Sequence, residues 1–337
     1  MKVLITGGTG YIGSHCTVAL LEKNFDVVLL DNLSNSYKQV CKNIREITKK
    51  DISFFEGDIN NSQLLTQIFS SHKIDIVLHC AGLKAVSESV QEPQKYYQNN
   101  VEGTQCLLKA MQIHGIFKLV FSSSATVYGN PKYLPMDEYH PLNPLHPYGE
   151  NKIFIEKILE EQTVKDSSWR VLSLRYFNPI GAHHTHLIGE SPSGHPNNLL
   201  PYIMEVAAGK KSRLKIFGND YATLDGTGLR DYLHIDDLAE GHIAAICYLS
   251  NMQGNSNFDV FNLGTGLAYS VLQVLKTFES ASGLKIPYTF SERRAGDVQS
   301  SYADIAKAKS ILNWEARRSL DEMCLSAWKY QQNIYTS

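Results

Sequence analysis

Tyr148 and Lys152 stand four residues apart in HPYGENK (146–152). That pairing can make a tyrosine into a general base, because a nearby ammonium favours the phenolate and lowers a pKa that starts near 10. Tyr128 and Lys132 share the spacing. With 18 tyrosines and 23 lysines in 337 residues, chance alone supplies about one such pair. The flanking residues separate the two. Tyr128 is followed by GNPK, where Gly129 and Pro131 break helical geometry. Tyr148 follows Pro147 and precedes Ile153, Ile155, Ile158 and Leu159, an amphipathic pattern that predicts a helix over 148–166. Residues four apart on a helix share a face, so Tyr148 with Lys152 is the chemical pair, and Tyr128 is expected to pack beside the cleft. Ser124, at the end of FSSS (121–124), can bridge a substrate oxygen to Tyr148, although a serine-rich strand end reads equally well as turn chemistry. Together the three residues suit the movement of a hydride and a proton at a carbinol, provided that a hydride acceptor lies alongside.

That acceptor is readable at the start of the chain. KVLIT (2–6) predicts a strand and 11–23 a helix, with Gly7, Gly10 and Gly13 in the turn between them. Glycines there let backbone N–H groups approach a pyrophosphate at a helix N-terminus. A ligand-free tight turn is the plainer alternative. Asp31 ends the second strand, where an acidic side chain accepts from an adenosine ribose and repels a 2′-phosphate. No arginine follows it in Asn32–Leu33, which favours NAD over NADP; capping the strand end is the plainer role for Asp31.

The elements that hold these residues alternate. Strands are expected at 26–31, 52–58, 74–80, 118–124 and 169–177, with a long helix near 94–114. The strands are apolar throughout rather than alternating, as strands buried on both faces are. The fold class that follows is α/β, a Rossmann-type doubly wound parallel sheet with a smaller mixed α/β substrate domain. Residues 1–177 form the NAD-binding part, with 232–262 returning to it; 178–231 and 263–337 form the substrate part. The cleft between them is the expected site.

Composition excludes other classes. A net charge of −2 without a long basic run argues against nucleic acid or an anionic membrane surface. No stretch is long and apolar enough to span a bilayer, and MKVLITGGTG is a strand and turn rather than a signal peptide. Six cysteines without C-x-x-C spacing suit reduced thiols in the cytoplasm. His183, His184, His186 and His195 lack paired carboxylates, so no metal is expected.

TGGTGYIGSH, LDNLSNS, AGLKAVSESV, FSSSATVYG, LRYFNPIGAH, PNNLLPYI, IFGNDYATLDGTGLRDYLHIDDLA and NLGTG run in order from residue 1 to about 330. They closely resemble the UDP-glucose 4-epimerases, an extended short-chain dehydrogenase/reductase family. The resemblance implies a catalytic triad of Ser124, Tyr148 and Lys152. It implies NAD contacts from Gly7, Gly10, Tyr11, Ile12 and Gly13 in the first turn, and from Asp31, Asn32, Asn35 and Ser36 after the second strand. Asp58, Ile59, Cys80, Ala81, Gly82, Lys84, Asn99 and Phe177 complete that set together with the triad. It places a UDP-hexose against Asn178, Asn198, Leu199, Phe217, Arg230, Tyr232, Arg294, Asp297 and Ser301, as well as Ser124 and Tyr148. Arg230 and Arg294 are forks suited to a pyrophosphate, whereas Arg293, Arg317 and Arg318 read as solubilising charge. Asn178 and Asn198 read equally as turn residues.

The implied chemistry is an epimerisation. The Tyr148 phenolate takes the sugar 4-OH proton, directly or through Ser124, as C4 gives a hydride to NAD. The flat 4-keto sugar turns over about its pyrophosphate anchor, and the hydride returns to the other face. The resemblance also implies a homodimer through the helices near 94–114 and 148–166. Two positions depart from the family. Cys80 replaces a frequent aromatic and should loosen packing near NAD. Ser301 stands where strict glucose/galactose epimerases carry tyrosine, and a small residue leaves room for a 2-acetamido group, so UDP-GlcNAc/UDP-GalNAc turnover is expected as well. The plainer reading of Ser301 is a cap for the next helix. Two rivals remain. A 4,6-dehydratase needs further acid–base groups, which such relatives place as Asp–Glu where this chain has Ala125 and Thr126. A non-catalytic NAD-sensing protein is countered by the intact Ser–Tyr–Lys set.

Overall fold

A computed structural model describes residues 1–191, 198–252, 257–294 and 296–336. Its centre is a seven-stranded, wholly parallel sheet: β1 (Lys2–Thr6), β2 (Asp26–Asp31), β3 (Ser53–Glu56), β4 (Ile76–His79), β5 (Lys118–Ser122), β6 (Arg170–Tyr176) and β7 (Phe258–Leu263). The order across the sheet is β7-β6-β5-β4-β1-β2-β3. β1 therefore has β2 on one side and β4 on the other, and the winding reverses there. A crevice opens at such a reversal, beyond the carboxyl ends of the strands.

Adjacent residues on each strand feed opposite layers, as the period of two requires. Ile5 and Leu29 join a core packed under α1 (Tyr11–Glu22), α2 (Gln39–Thr48) and α7 (Ile235–Asn251). Their neighbours Leu4 and Leu30 join a second core under α3 (Ser62–Ser71), α4 (Gly103–Ile113) and α5 (Pro147–Lys165). Both faces are covered, which is why the strands are apolar without alternation. The helix expected over 94–114 is broken into Pro93–Tyr96, a π-helical turn at Tyr97–Glu102, and α4. Asn100 in that turn ties down Leu83, bonding its amide at 2.8 Å and its carbonyl at 3.0 Å. Wide turns of this kind often mark functional sites.

After β6 the chain builds a second packed unit. Leu200, Ile203, Leu214, Ile216, Phe278 and Trp328 share a separate core formed by α6 (Leu199–Ala207), α8 (Val271–Ser282), α9 (Leu320–Thr336) and the parallel strands Leu214–Phe217 and Tyr288–Ser291. α8 starts at a Ser270–Gln273 capping box and ends at Gly283 in the left-handed region. Asn178 lies in a short strand paired with Tyr232–His234 rather than in a turn. Arg318 is no loose surface charge: it pairs with the fully buried Asp237 and reaches Glu240 at 3.0 Å. Among the described residues Arg318 is the only cation paired with Asp237, and burying an unpaired carboxylate is costly. Arg293 pairs with Asp220 at 2.8 Å and lies over the Tyr221 ring.

Candidate functional site

The reversal point opens into a cleft of about 1840 Å³ running from the first glycine turn to the second unit. Every residue expected to contact a dinucleotide lines it, from Gly7, Gly10, Tyr11, Ile12 and Gly13 to Asn99 and Phe177. The glycines are required by shape. Gly7 has φ +70°, and a Cβ there would stand 2.7 Å from the Ala81 amide nitrogen; one on Gly13 would collide with the Gly7 carbonyl oxygen. α1 begins at Gly10 with no side-chain cap and no acidic residue in its first turn, so its amides and positive dipole end are left for an anion.

Asp31 takes the plainer of its two expected roles. Its carboxylate caps the strand end, accepting from Thr9 N at 3.0 Å, Leu33 N at 2.9 Å and the Ser36 hydroxyl at 3.0 Å. It also lines the cleft, and three donors leave part of a carboxylate's capacity unused. Asp58 takes the Asn32 amide at 2.7 Å, which pins the next loop.

α5 places the catalytic candidates. Tyr148, Lys152 and Glu156 recur every four residues and are all buried. Lys152 Nζ donates to the Ser122 carbonyl at 2.7 Å, sits 4.5 Å above the Phe121 ring, and is 5.7 Å from the centre of the Tyr148 ring. Ser124 and Tyr176 hydrogen-bond to the Tyr148 oxygen, but burial outweighs them and pushes the phenol up to about 12. Burial likewise brings the Lys152 ammonium down to about 8. The protein alone thus does not lower the Tyr148 pKa as the Tyr–Lys spacing suggests. Lys152 supplies a cation close by, with one of its three N–H donors given to the Ser122 carbonyl.

Tyr128 packs behind the cleft wall, in one cluster with Phe177. It is fully buried, donates to Asn262 Oδ1 at 2.6 Å and stacks with Arg175; it does not line the cleft. Gly129, φ +65°, turns the chain away after it.

At the far end, Asn178, Asn198, Arg230, Arg294, Asp297 and Ser301 line the same cleft. Arg230 reaches Asp297 at 3.4 Å, and Arg294 lies 3.9 Å over the Phe217 ring. Leu199, Phe217 and Tyr232 do not line it. Phe217 supports Arg294 from beneath, whereas Tyr232 belongs to the core of the second unit and Leu199 packs against it. Ser301 is not a helix cap: Ser300–Ser301 is a strand paired with Leu229–Arg230, and the next helix starts at Ala306. Among the described residues no three His, Cys, Asp or Glu side chains converge. His183 hydrogen-bonds Thr185, and His195 lies outside the described residues.

Two residues escape the sequence reading. Glu156 is the anchor of α5: it accepts from Ser123 at 2.6 Å, Ser173 at 2.8 Å and Arg175 Nη2 at 2.6 Å. The four-residue recurrence after Lys152 was its signal. Glu190 is 8% exposed, pairs with Lys84 at 2.9 Å and accepts from Asn198 at 2.8 Å. These partners are far apart in sequence, and nothing in GES announces them.

A family model described as GDP-mannose 4,6 dehydratase matches residues 4–326, which does not by itself separate dehydratases from epimerases. Full-length relatives do. The chain is 50% identical over 333 residues to the UDP-glucose 4-epimerase of Bacillus subtilis, covering 99% of this chain and 97% of that one. It is 52% identical over 331 residues to that of Neisseria gonorrhoeae, covering 98% and 97%. The crystal structure of UDP-glucose 4-epimerase from Bifidobacterium longum in complex with NAD+ and UDP superposes with a TM-score of 0.95 at 45% identity, covering 99% of this chain and 98% of that one. Half the residues are thus shared along the whole length, on one and the same fold, and the chain belongs to the UDP-glucose 4-epimerase family.

Proposed function

We propose that this protein is an NAD-dependent UDP-hexose 4-epimerase that interconverts UDP-glucose with UDP-galactose and UDP-GlcNAc with UDP-GalNAc. The observation that carries the reading is the meeting of Ser124, Tyr148 and Lys152 in one cleft with a glycine turn at one end and two arginines at the other. The turn fits NAD because glycines let it close tightly, a Cβ at Gly7 meeting the Ala81 backbone and one at Gly13 the Gly7 carbonyl, and because α1 begins there without a side-chain cap. When bound, NAD takes the C4 hydride and gives it back, and its oxidised ring adds positive charge to the site. Tyr148 takes the 4-OH proton, directly or through Ser124, and later returns it. Lys152, a buried cation, favours the phenolate that this requires. Arg230 and Arg294 grip the pyrophosphate of the UDP-sugar, leaving the hexose to turn over. Residues 1–177 with 232–262 hold NAD; 178–231 and 263–337 hold the UDP-sugar.

Acceptance of the N-acetyl sugars rests on Ser301, a small side chain at the cleft wall. The test is product formation from UDP-Glc and UDP-GlcNAc side by side. Both are turned over by the native protein. Ser301→Tyr keeps UDP-Glc turnover and loses at least about tenfold on UDP-GlcNAc, the order of steric discrimination that a pocket wall supplies. Equal use of both sugars by the variant sinks the pocket argument, and a 6-deoxy-4-keto product sinks the epimerase.

A homodimer through the helices near 94–114 and 148–166 is supported by exposed Tyr97 and Phe154, whose rings meet edge to face at 6.4 Å. Light scattering should give twice the 37.8 kDa chain mass; a monomer contradicts it. Cytoplasmic location is supported by six free cysteines. No helix among the described residues is long and apolar enough to cross a membrane.

A further inference from the structure

Thr126 holds Ser124 through two hydrogen bonds. The Ser124 Oγ accepts twice from Thr126, from the amide at 3.2 Å and from the hydroxyl at 3.0 Å. A serine hydroxyl has two acceptor sites and one proton to donate. With both acceptor sites filled, only the Ser124 O–H remains for the cleft. Thr126 sits in the single 3₁₀ turn Ala125–Val127 and lines the same cleft as Ser124 and Tyr148. α5 presses directly on this turn: a Cβ on Gly149 would lie 3.0 Å from the Thr126 carbonyl oxygen. The turn and the catalytic phenol are therefore set against each other by close backbone packing.

We propose that Thr126 is a positioning residue that locks Ser124 as a hydrogen-bond donor. Ser124 then gives its O–H to the Tyr148 phenolate or to the substrate C4 oxygen and accepts from neither. This rests on reading the site as an epimerase, and it separates the two proton routes left open above. A serine whose lone pairs are occupied cannot take up the 4-OH proton, so the proton passes directly from O4 to the Tyr148 oxygen and back. The O4–H bond breaks as the Tyr148 O–H bond forms, and the C4 hydride would go to bound NAD as set out above. Without the Thr126 hydroxyl, Ser124 can rotate and accept from the substrate hydroxyl, which draws that proton away from Tyr148 and removes a donor from the phenolate. Hydrogen bonds in such chains strengthen one another, so the loss reaches Tyr148 although Thr126 need not touch the reacting atoms.

The test is the pH profile of turnover of UDP-Glc by native protein, Thr126→Val and Thr126→Ser. In Thr126→Val, kcat falls by about tenfold, the loss of one hydrogen bond. Its KM stays within about twofold and the acid limb of kcat moves to higher pH, because a phenolate with one donor fewer binds its proton more tightly. Thr126→Ser keeps the hydroxyl and behaves as native in all three respects. If Thr126→Val does not fold, Thr126→Ala carries the same expectation. Lost turnover with an unmoved acid limb, a raised KM with unchanged kcat, or no recovery in Thr126→Ser each overturns the proposal. Native-like kinetics in Thr126→Val does so too, while the epimerase reading stands. An inactive native protein overturns the epimerase reading instead.

Discussion

Tyr148→Phe loses turnover by about 10²–10⁴, the range that a positioned acid–base group contributes, while its content of bound NAD stays at the native level. The change removes one oxygen and leaves the ring stacked beside His146 at 6.1 Å. That oxygen is where the hydrogen bonds of Ser124 and Tyr176 converge. Without it, Ser124 and Lys152 remain in place, but neither is a base: Lys152 is held as a donor to Ser122, and Ser124 already accepts two bonds. Steady-state turnover of UDP-Glc together with release and quantification of NAD decides the matter. Full activity would overturn the assignment of the base. Lost activity together with lost NAD would make Tyr148 a cofactor ligand only. The sign of the pH dependence follows from the raised phenol. Burial favours its neutral form, so turnover rises with pH as the phenolate population grows.

Glu156→Ala should destabilise the fold by about 3–5 kcal/mol, the cost of stripping one partner from a buried ion pair. Arg175 and Glu156 have side chains only 6% and 5% exposed, 2.6 Å apart. Removing the carboxylate leaves the guanidinium with Tyr128 and the Glu138 carbonyl, both at 3.2 Å, and strips the hydroxyls of Ser123 and Ser173 of their acceptor. The damage reaches function, because Glu156 anchors the helix that carries Tyr148 and Lys152. A urea unfolding midpoint lowered in that proportion, with reduced kcat in the folded variant, is the expected result. A shift below about 1 kcal/mol would place the pair among the weak ion pairs typical of surfaces.

What could be read from the sequence was local. The apolar strands, the glycine turn and the choice of Tyr148 over Tyr128 rest on neighbouring residues, and Pro147 and Gly129 act as their sequence predicts. What was missed depends on partners far along the chain. Tyr128 reads as packing beside the cleft, but the partner that takes its hydroxyl, Asn262, is 134 positions away. Arg318 reads as surface charge until Asp237 meets it. Ser301 reads equally as a helix cap until Leu229–Arg230 draws it into a strand. The break in the helix near 94–114 escaped because a π-helical turn adds a residue to one turn, and apolar periodicity alone does not announce it. The pKa of Tyr148 escaped because desolvation depends on everything that covers the ring.

The edge of the sheet has a consequence for how the chain is made. β7 pairs with β6 through Phe258 and Val171, about ninety positions apart, so its closure is a long-range event of the slow kind. On the ribosome, six strands emerge before the seventh exists. Throughout that interval β6 is an open edge whose unpaired N–H and C=O groups can pair with a neighbouring nascent chain. Residues 178–231 are synthesised within that window, and the arrival of β7 covers this edge of β6.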